Sequence, residues 1–259
     1  MGFILTKETK FKKVIVISPM KLRHRVFACE LQKNNIVVSA VLIEKQAKSL
    51  KKKLKEFFTI SQILNIYLTL AEIFLTRKVH LPETSTIYLK NSNDARIIEI
   101  IDKINPDAVV VYGGSIIPKT ILEKISIPIL NIHGAVLPGY RGLDSYWWLI
   151  LDSKEYLQGY TIHYLDSGID TGNIILSNQY SKSHNRFFRN SVWRLWIAKN
   201  SAVDLANLLI NDLDSAPSVV HDLNKSTYRS KISVLNFALS RKRTELCARR
   251  DSNPEPSDP

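Results

Sequence analysis

The chain has 259 residues, 45% of them apolar, and carries a net charge of +12 at neutral pH. That length holds one large domain and a small appendage, and the apolar share excludes global disorder. Two cysteines, Cys29 and Cys247, exclude a disulfide framework and give no zinc spacing. The first apolar run is too short for a secretory signal, so a reduced, cytoplasmic protein without a bound metal is expected.

In chain order, residues 13–18 are an apolar run of strand length, followed by a helical stretch at 22–33 and a second strand at 36–43. Residues 50–78 turn from basic to apolar. The run 60–75 is short for a membrane span and Glu72 interrupts it, so core-packing helices are expected. A membrane-surface helix led by the lysines is the alternative, which would allow peripheral membrane contact. A periodic helix runs from just after Asp94 to about Ile104, where Asn105-Pro106-Asp107 ends it. Residues 108–112 then read as a buried strand, and Pro118 opens a short helix at 119–124. This rhythm predicts an α/β fold: an open, mostly parallel, Rossmann-like twisted sheet with right-handed crossovers and helices on both faces. The site is expected at the carboxyl ends of its strands.

The next segments carry the chemistry. Residues 128–132 read as a strand on which Asn131 and His133, two apart, share a face. The loop Leu137-Pro138-Gly139-Tyr140-Arg141-Gly142 follows, then a strand through Gly159, Thr161 and His163, then Asp166-Ser167-Gly168-Ile169-Asp170-Thr171-Gly172. An amide, an imidazole and a carboxylate on short loops beside apolar strands are what an amine needs to attack a carbonyl carbon and shed its proton. Asn131 and a protonated His133 are suited to donating hydrogen bonds to the oxygen of the tetrahedral centre, one such donor being worth about 3 kcal/mol of barrier. Asp170 is placed to keep His133 cationic or to relay the amine's proton through water. Tyr140, Arg141 and Gly142 are expected on the acceptor side, and His163 as a packed or supporting residue.

Asn-x-His, Leu-Pro-x-x-Arg-Gly, Gly-x-Thr-x-His and Asp-x-Gly-x-Asp-x-Gly, in this order, resemble the pattern of the folate-dependent formyltransferase family. The family includes glycinamide ribonucleotide, methionyl-tRNA and nucleotide-sugar N-formyltransferases. The resemblance implies the formyltransferase fold, catalytic roles for Asn131, His133 and Asp170, and 10-formyltetrahydrofolate as formyl-donating cosubstrate. Tyr112, Gly113, Gly114, Ile116 and Ile117 look like the family segment whose backbone bonds the pterin ring; Asp166, Gly168 and Ile169 are placed at the folate in the same way. One departure stands out. The purine branch ends its first strand in a glycine-rich phosphate loop, whereas this chain has Lys21, Arg23, His24 and Arg25 there and no glycine. Those side chains offer charge to a phosphate, or simply a solvated helix face.

Residues 187–213 read as one long helix whose apolar positions Val192, Leu195, Trp196, Val203, Leu205 and Leu208 pack it on the sheet, with Trp193 and Trp196 as core. Residues 1–213 are thus expected to form the catalytic domain and 214–246 a short C-terminal extension. Within the latter, Ser226-Thr227-Tyr228-Arg229 resembles a segment with which sugar-modifying members close. Residues 247–259 are polar with three prolines, and read as a disordered tail. The residues after 213 are too few for the β-barrel domain of methionyl-tRNA formyltransferases. The basic runs at Lys45 to Lys55 and Arg241 to Arg250 read as solvated faces and do not by themselves identify nucleic acid as a partner. The expected acceptor is a small anionic amine, an amino-sugar nucleotide by preference. Glycinamide ribonucleotide, methionyl-tRNA, hydrolysis of the donor and a non-catalytic folate or nucleotide binder are the alternatives.

Overall fold

The computed structural model describes residues 12–19, 21–44, 70, 73, 85–90, 94–180, 189–211, 213 and 216–230. The lysine cluster after residue 44, most of the 50–78 stretch, the 241–250 basic run and the 247–259 tail lie outside them.

Strand β1 (Lys12–Ile17) shows why the sheet forms. Val14 and Val16 point into one core and Ile15 and Ile17 into another, so the strand is apolar without alternation. The same split recurs in β4 (Ala108–Val111), where Ala108 and Val110 serve the first core and Val109 and Val111 the second. Helix α1 (Leu22–Lys33) fills the first core with Val26, Phe27 and Leu31, and packs on the long helix α5 (Arg189–Ile210). Helices α2 (Arg96–Ile104) and α3 (Lys119–Leu122) cover the other face through Ile97, Ile101 and Ile121. Each such side chain buried from water stabilises the fold by about 1.5–3 kcal/mol. Asn105 ends α2 in the left-handed region (φ 47°), its N–H bonded to the Ile101 carbonyl at 2.8 Å.

The seven-stranded sheet also contains β2 (Ile36–Glu44), β3 (Ser85–Leu89), β5 (Ile129–His133), β7 (Gly159–Tyr164) and β8 (Ile174–Gln179). Its order is β3-β2-β1-β4-β5-β7-β8. The first five strands pair in parallel, while β5 with β7 and β7 with β8 are antiparallel. A separate parallel pair joins β6 (Tyr140–Gly142) to β9 (Thr227–Arg229). Helix α4 (Ser145–Leu151) lies between β6 and β7 in the chain.

Most expected elements stand within a few residues of their predicted bounds. Strand β3, the last strand β8 and the short pair β6–β9 were not foreseen, because edge and three-residue strands bury too few side chains to leave a pattern. On α5 the buried stripe runs through Trp193, Ile197, Ala198, Ala202, Leu205, Ala206 and Leu209. Trp196 and Leu208 sit at its margin, and Val192 and Val203 are only half-buried. Alanines therefore carry more of this interface than the large-residue pattern suggested.

Candidate active site

Strand β5 carries Asn131 and His133 to the carboxyl end of the sheet. Leu130 and Ile132 belong to the first core and Ile129 to the second, so by alternation Asn131 and His133 follow the Ile129 face. The antiparallel register sets His163 of β7 opposite Asn131. Asn131 Nδ2 lies 3.0 Å from His163 Nε2 and 3.1 Å from Asp170 Oδ1. His163, with no exposed surface, turns Nδ1 to the Tyr164 carbonyl at 2.8 Å. A carbonyl only accepts, so that nitrogen holds the ring proton and Nε2 accepts from Asn131. His163 thereby supports the site through the Asn131 amide.

Asp170 joins these groups. Oδ2 accepts the Gly142 N–H at 2.8 Å and lies 3.3 Å from His133 Nδ1, while Oδ1 accepts from Asn131. Its loop closes on Asp166, whose Oδ1 accepts from Gly168 N–H at 3.1 Å and from the Thr171 hydroxyl at 2.7 Å. At Gly172 the backbone leaves no room for a side chain, since a Cβ would lie 1.9 Å from the Tyr164 carbonyl oxygen.

Burial pushes Asp170 up, but His133 and the Gly142 N–H outweigh it and hold the carboxyl well below the usual carboxylate range. Burial also lowers His133, and here the opposing pull of Asp170 is the smaller effect. Burial thus works against the expected imidazolium and Asp170 works for it, so the two groups form one coupled pair. His133 Nε2 faces the Tyr140 carbonyl at 2.8 Å and so carries a ring proton. Nδ1 and Asp170 Oδ2, 3.3 Å apart, bracket the position of one transferable proton. The expectation for Asn131 is corrected. Both hydrogens of its amide are engaged, by His163 and Asp170, so donation to a substrate oxygen requires one of them to turn.

Asn131, His133, Gly142 and Asp170 line a cleft of about 690 Å³, within the size range of small-molecule sites. Tyr112, Gly113, Gly114, Ile116 and Ile117 form part of its wall, with Asp166, Gly168 and Ile169 beside Asp170. Gly114 is open, nothing standing within 4 Å of a Cβ built there, and Ile116 is exposed. Backbone groups and apolar side chains together suit a flat heteroaromatic ring at this place.

A second part of the wall contains Lys21, Arg23, His24, Tyr146, Trp147, Trp193 and Arg194. His24 is buried and held well below the ordinary imidazole range, by burial first and then by Arg23, Lys21 and Arg194. Its Nδ1 accepts the Lys21 N–H at 3.0 Å, and its ring meets Tyr112 edge-on at 4.8 Å. His24 therefore supplies no positive charge, contrary to expectation, and the exposed Arg25 does not line the cleft. The cations that do are Lys21, Arg23 and Arg194. Arg194, Tyr146 and Trp147 were missed in the sequence; an arginine between the buried Trp193 and the half-buried Trp196 on one helix was the available signal.

Of the residues expected on the acceptor side, only Gly142 lines the cleft. Tyr140 is buried with Ala135 and Leu149, and its hydroxyl donates to Asp152. Burial first, and then Asp152, push that phenol up to about 12. Arg141 donates to the Ser226 hydroxyl at 2.6 Å and to the Ile169 carbonyl at 3.2 Å. Pairing of β6 with β9 turns both side chains to this use.

The chain resembles methionyl-tRNA formyltransferases in sequence. It is 40% identical to that of Syntrophus aciditrophicus (strain SB) over 87 residues, covering 33% of this chain and 28% of the relative. With that of Caldicellulosiruptor saccharolyticus the identity is 34% over 138 residues, covering 52% and 42%. The chain thus spans less than half the length of these relatives. In structure it is similar to a 4-N formyltransferase from Francisella tularensis (TM-score 0.54, 20% identity, covering 90% of this chain and 88% of the other). It is also similar to HypX from Aquifex aeolicus in complex with tetrahydrofolic acid (TM-score 0.56, 14% identity, covering 95% and 35%). These likenesses are of fold. The family model for formyl transferase matches residues 12–184, where the sheet and every group around Asp170 lie, and the chain belongs to the formyl transferase family.

Proposed function

We propose that this protein transfers a formyl group from 10-formyltetrahydrofolate to a primary amine on a phosphate-bearing small molecule, an amino-sugar nucleotide by preference. The observation that carries the reading is the approach of His133 Nδ1 to Asp170 Oδ2, 3.3 Å across at the cleft, between which a proton can pass. An amine that becomes an amide loses one proton, and the folate nitrogen that gives up the formyl group gains one. His133 and Asp170 take the first proton, directly or through water, becoming an imidazolium–carboxylate pair, and return it to the leaving nitrogen. Asn131 turns one N–H from Asp170 to the developing oxyanion as the new proton neutralises the carboxylate's demand. The backbone at Tyr112–Ile117 and the Asp166–Ile169 loop would hold the pterin.

Lys21, Arg23 and Arg194, in the same cleft as Asp170, favour an anionic acceptor. Tyr146 and Trp147 add aromatic surface for a base or sugar. Methionyl-tRNA is the second reading, favoured by the sequence relatives of that name.

Release of tetrahydrofolate from 10-formyltetrahydrofolate tests this against amino-sugar nucleotides, glycinamide ribonucleotide, charged initiator tRNA and buffer alone. Amine-dependent release with an amino-sugar nucleotide is expected. Release with charged tRNA alone would replace the preferred acceptor, and release in buffer alone would indicate hydrolysis. Folate binding without release would leave a binding protein.

A further inference from the structure

Strand β6 has three residues, and each bonds a proton-transfer group or the residue beside one. The Tyr140 carbonyl bonds His133 Nε2 at 2.8 Å, the Gly142 N–H bonds Asp170 Oδ2 at 2.8 Å, and Arg141 bonds the carbonyl of Ile169, next to Asp170. A three-residue strand cannot hold its own position. It is held from outside by residues 226–230, more than eighty positions later in the chain.

The grip is made at several points. The backbones pair in parallel, Tyr140 with Thr227, Arg141 with Tyr228 and Gly142 with Arg229. Thr227 N–H donates to the Gly139 carbonyl at 2.9 Å and Leu143 N–H to the Arg229 carbonyl at 3.0 Å. The approach at Gly142 (φ 97°) is close enough that a Cβ would lie 2.1 Å from the Arg229 carbonyl oxygen. Arg229 Nη2 donates to Asp152 Oδ2 at 2.6 Å, the carboxylate that also accepts from the Tyr140 hydroxyl. The Arg229 guanidinium lies 4.8 Å from the Trp148 ring centre, and Trp148 Nε1 donates to the Ser230 carbonyl at 2.9 Å. The Ser226 hydroxyl accepts from Arg141 Nε at 2.6 Å.

We infer that residues 226–230 are a strap that positions His133 and Asp170 relative to each other, with Arg229 and Ser226 as its positioning residues. Arg229 acts through Asp152 and Tyr140 on the carbonyl that orients His133. Ser226 acts through Arg141 on the backbone that presents Asp170. Neither lines the cleft. The inference rests on the proposed formyl transfer for its kinetic consequence, but the geometry of the His133 ring reports on it without turnover.

The test compares Ser226→Ala, Arg229→Ala and Arg229→Lys with the exposed control Lys225→Ala, in the full chain. Two readouts are taken: acceptor-dependent tetrahydrofolate release with its pH profile, and the ring-nitrogen NMR signals of His133 across pH. Arg229→Ala should lower kcat roughly ten- to a hundredfold, the scale of an ångström-sized misplacement, with little change in KM for the folate. Ser226→Ala should do so less, and Arg229→Lys should recover part of the loss. In both alanine variants the His133 Nε2 signal and its titration should shift, while Lys225→Ala matches wild type. Folded Ser226→Ala and Arg229→Ala proteins with wild-type kcat, pH profile and His133 signals would overturn the strap. Absence of turnover in wild type would instead sink the formyl-transfer reading, and the His133 signals would still decide the strap.

Discussion

Two buried histidines border the same cleft, and they differ in what surrounds them. His24, at the start of α1, has Lys21, Arg23 and Arg194 for neighbours, and burial and charge both drive it to the neutral form. His133, on β5, is driven the same way by burial but faces Asp170, which pulls it back. Burial alone makes a histidine inert; a buried carboxylate at Nδ1 makes it able to receive a proton. The wall around His24 is thus suited to holding negative charge, and the wall around His133 to moving a proton.

The sharpest way to break this division is Asp170→Asn. It removes the partner that lets His133 accept a proton, and turnover should fall about a thousandfold, in the range for general acid–base groups. Single-turnover formyl transfer with saturating folate checks this, and a variant within a few-fold of wild type would undo the assignment. Next comes Gly172→Ala, which leaves every polar group in place but forces a Cβ toward the Tyr164 carbonyl oxygen 1.9 Å away. Displacing the Asp170 loop should cost about a hundredfold in kcat, read in the same assay beside a thermal melt.

Arg194→Ala probes the other wall. It should raise the KM of an anionic acceptor about tenfold, the value of one charge-assisted contact, and leave kcat unchanged. Steady-state kinetics at two salt concentrations test it, because added salt should raise the wild-type KM more than the variant's.

The smallest effect concerns stability against acid. His24 and His133 are both lowered in the fold and regain an ordinary pKa of about 6.5 when the chain unfolds. The unfolded chain therefore binds more protons below that value. Their contribution is fully present above about pH 6.5 and is lost as pH falls through the depressed folded values. Asp170, also lowered, adds a second loss beginning near its ordinary 3.8. His24→Gln keeps an acceptor for the Lys21 N–H and removes the first titration, so its urea midpoint should decline less than wild type's between pH 7.5 and 5. An equal decline would mean that His24 is not held neutral.

The same two walls separate what was legible in the sequence from what was not. Asn131, His133 and Asp170 stood out because four short motifs in the order of the formyltransferase family contain them, with the strand marked by its apolar residues and the loop by Asp166, Gly168 and Gly172. Helix α1 was readable to its ends, since its apolar pattern is a local signal. Arg194 was hidden within a helix that reads as core. Tyr140 and Arg141 were assigned to the wrong side, because the residues that turn them away, Asp152 for Tyr140 and Ser226 for Arg141, are 12 and 85 positions away.

By itself the sequence determined the α/β architecture, the strand and loop on which the candidate catalytic groups sit, and the chemical types present there, all of which follow from periodicity and turn residues within a dozen positions. Tertiary structure alone decided that burial and Asp170 pull His133 in opposite directions, that both Asn131 hydrogens are engaged, that Lys21, Arg23 and Arg194 share one cleft, and that a distant strand pairs with Gly142, whose N–H bonds Asp170. Protonation depends on burial and on the nearest charge, and the direction of a side chain on a short strand depends on its pairing partner. Both are set by segments far apart in the chain, and so come into being only when it folds.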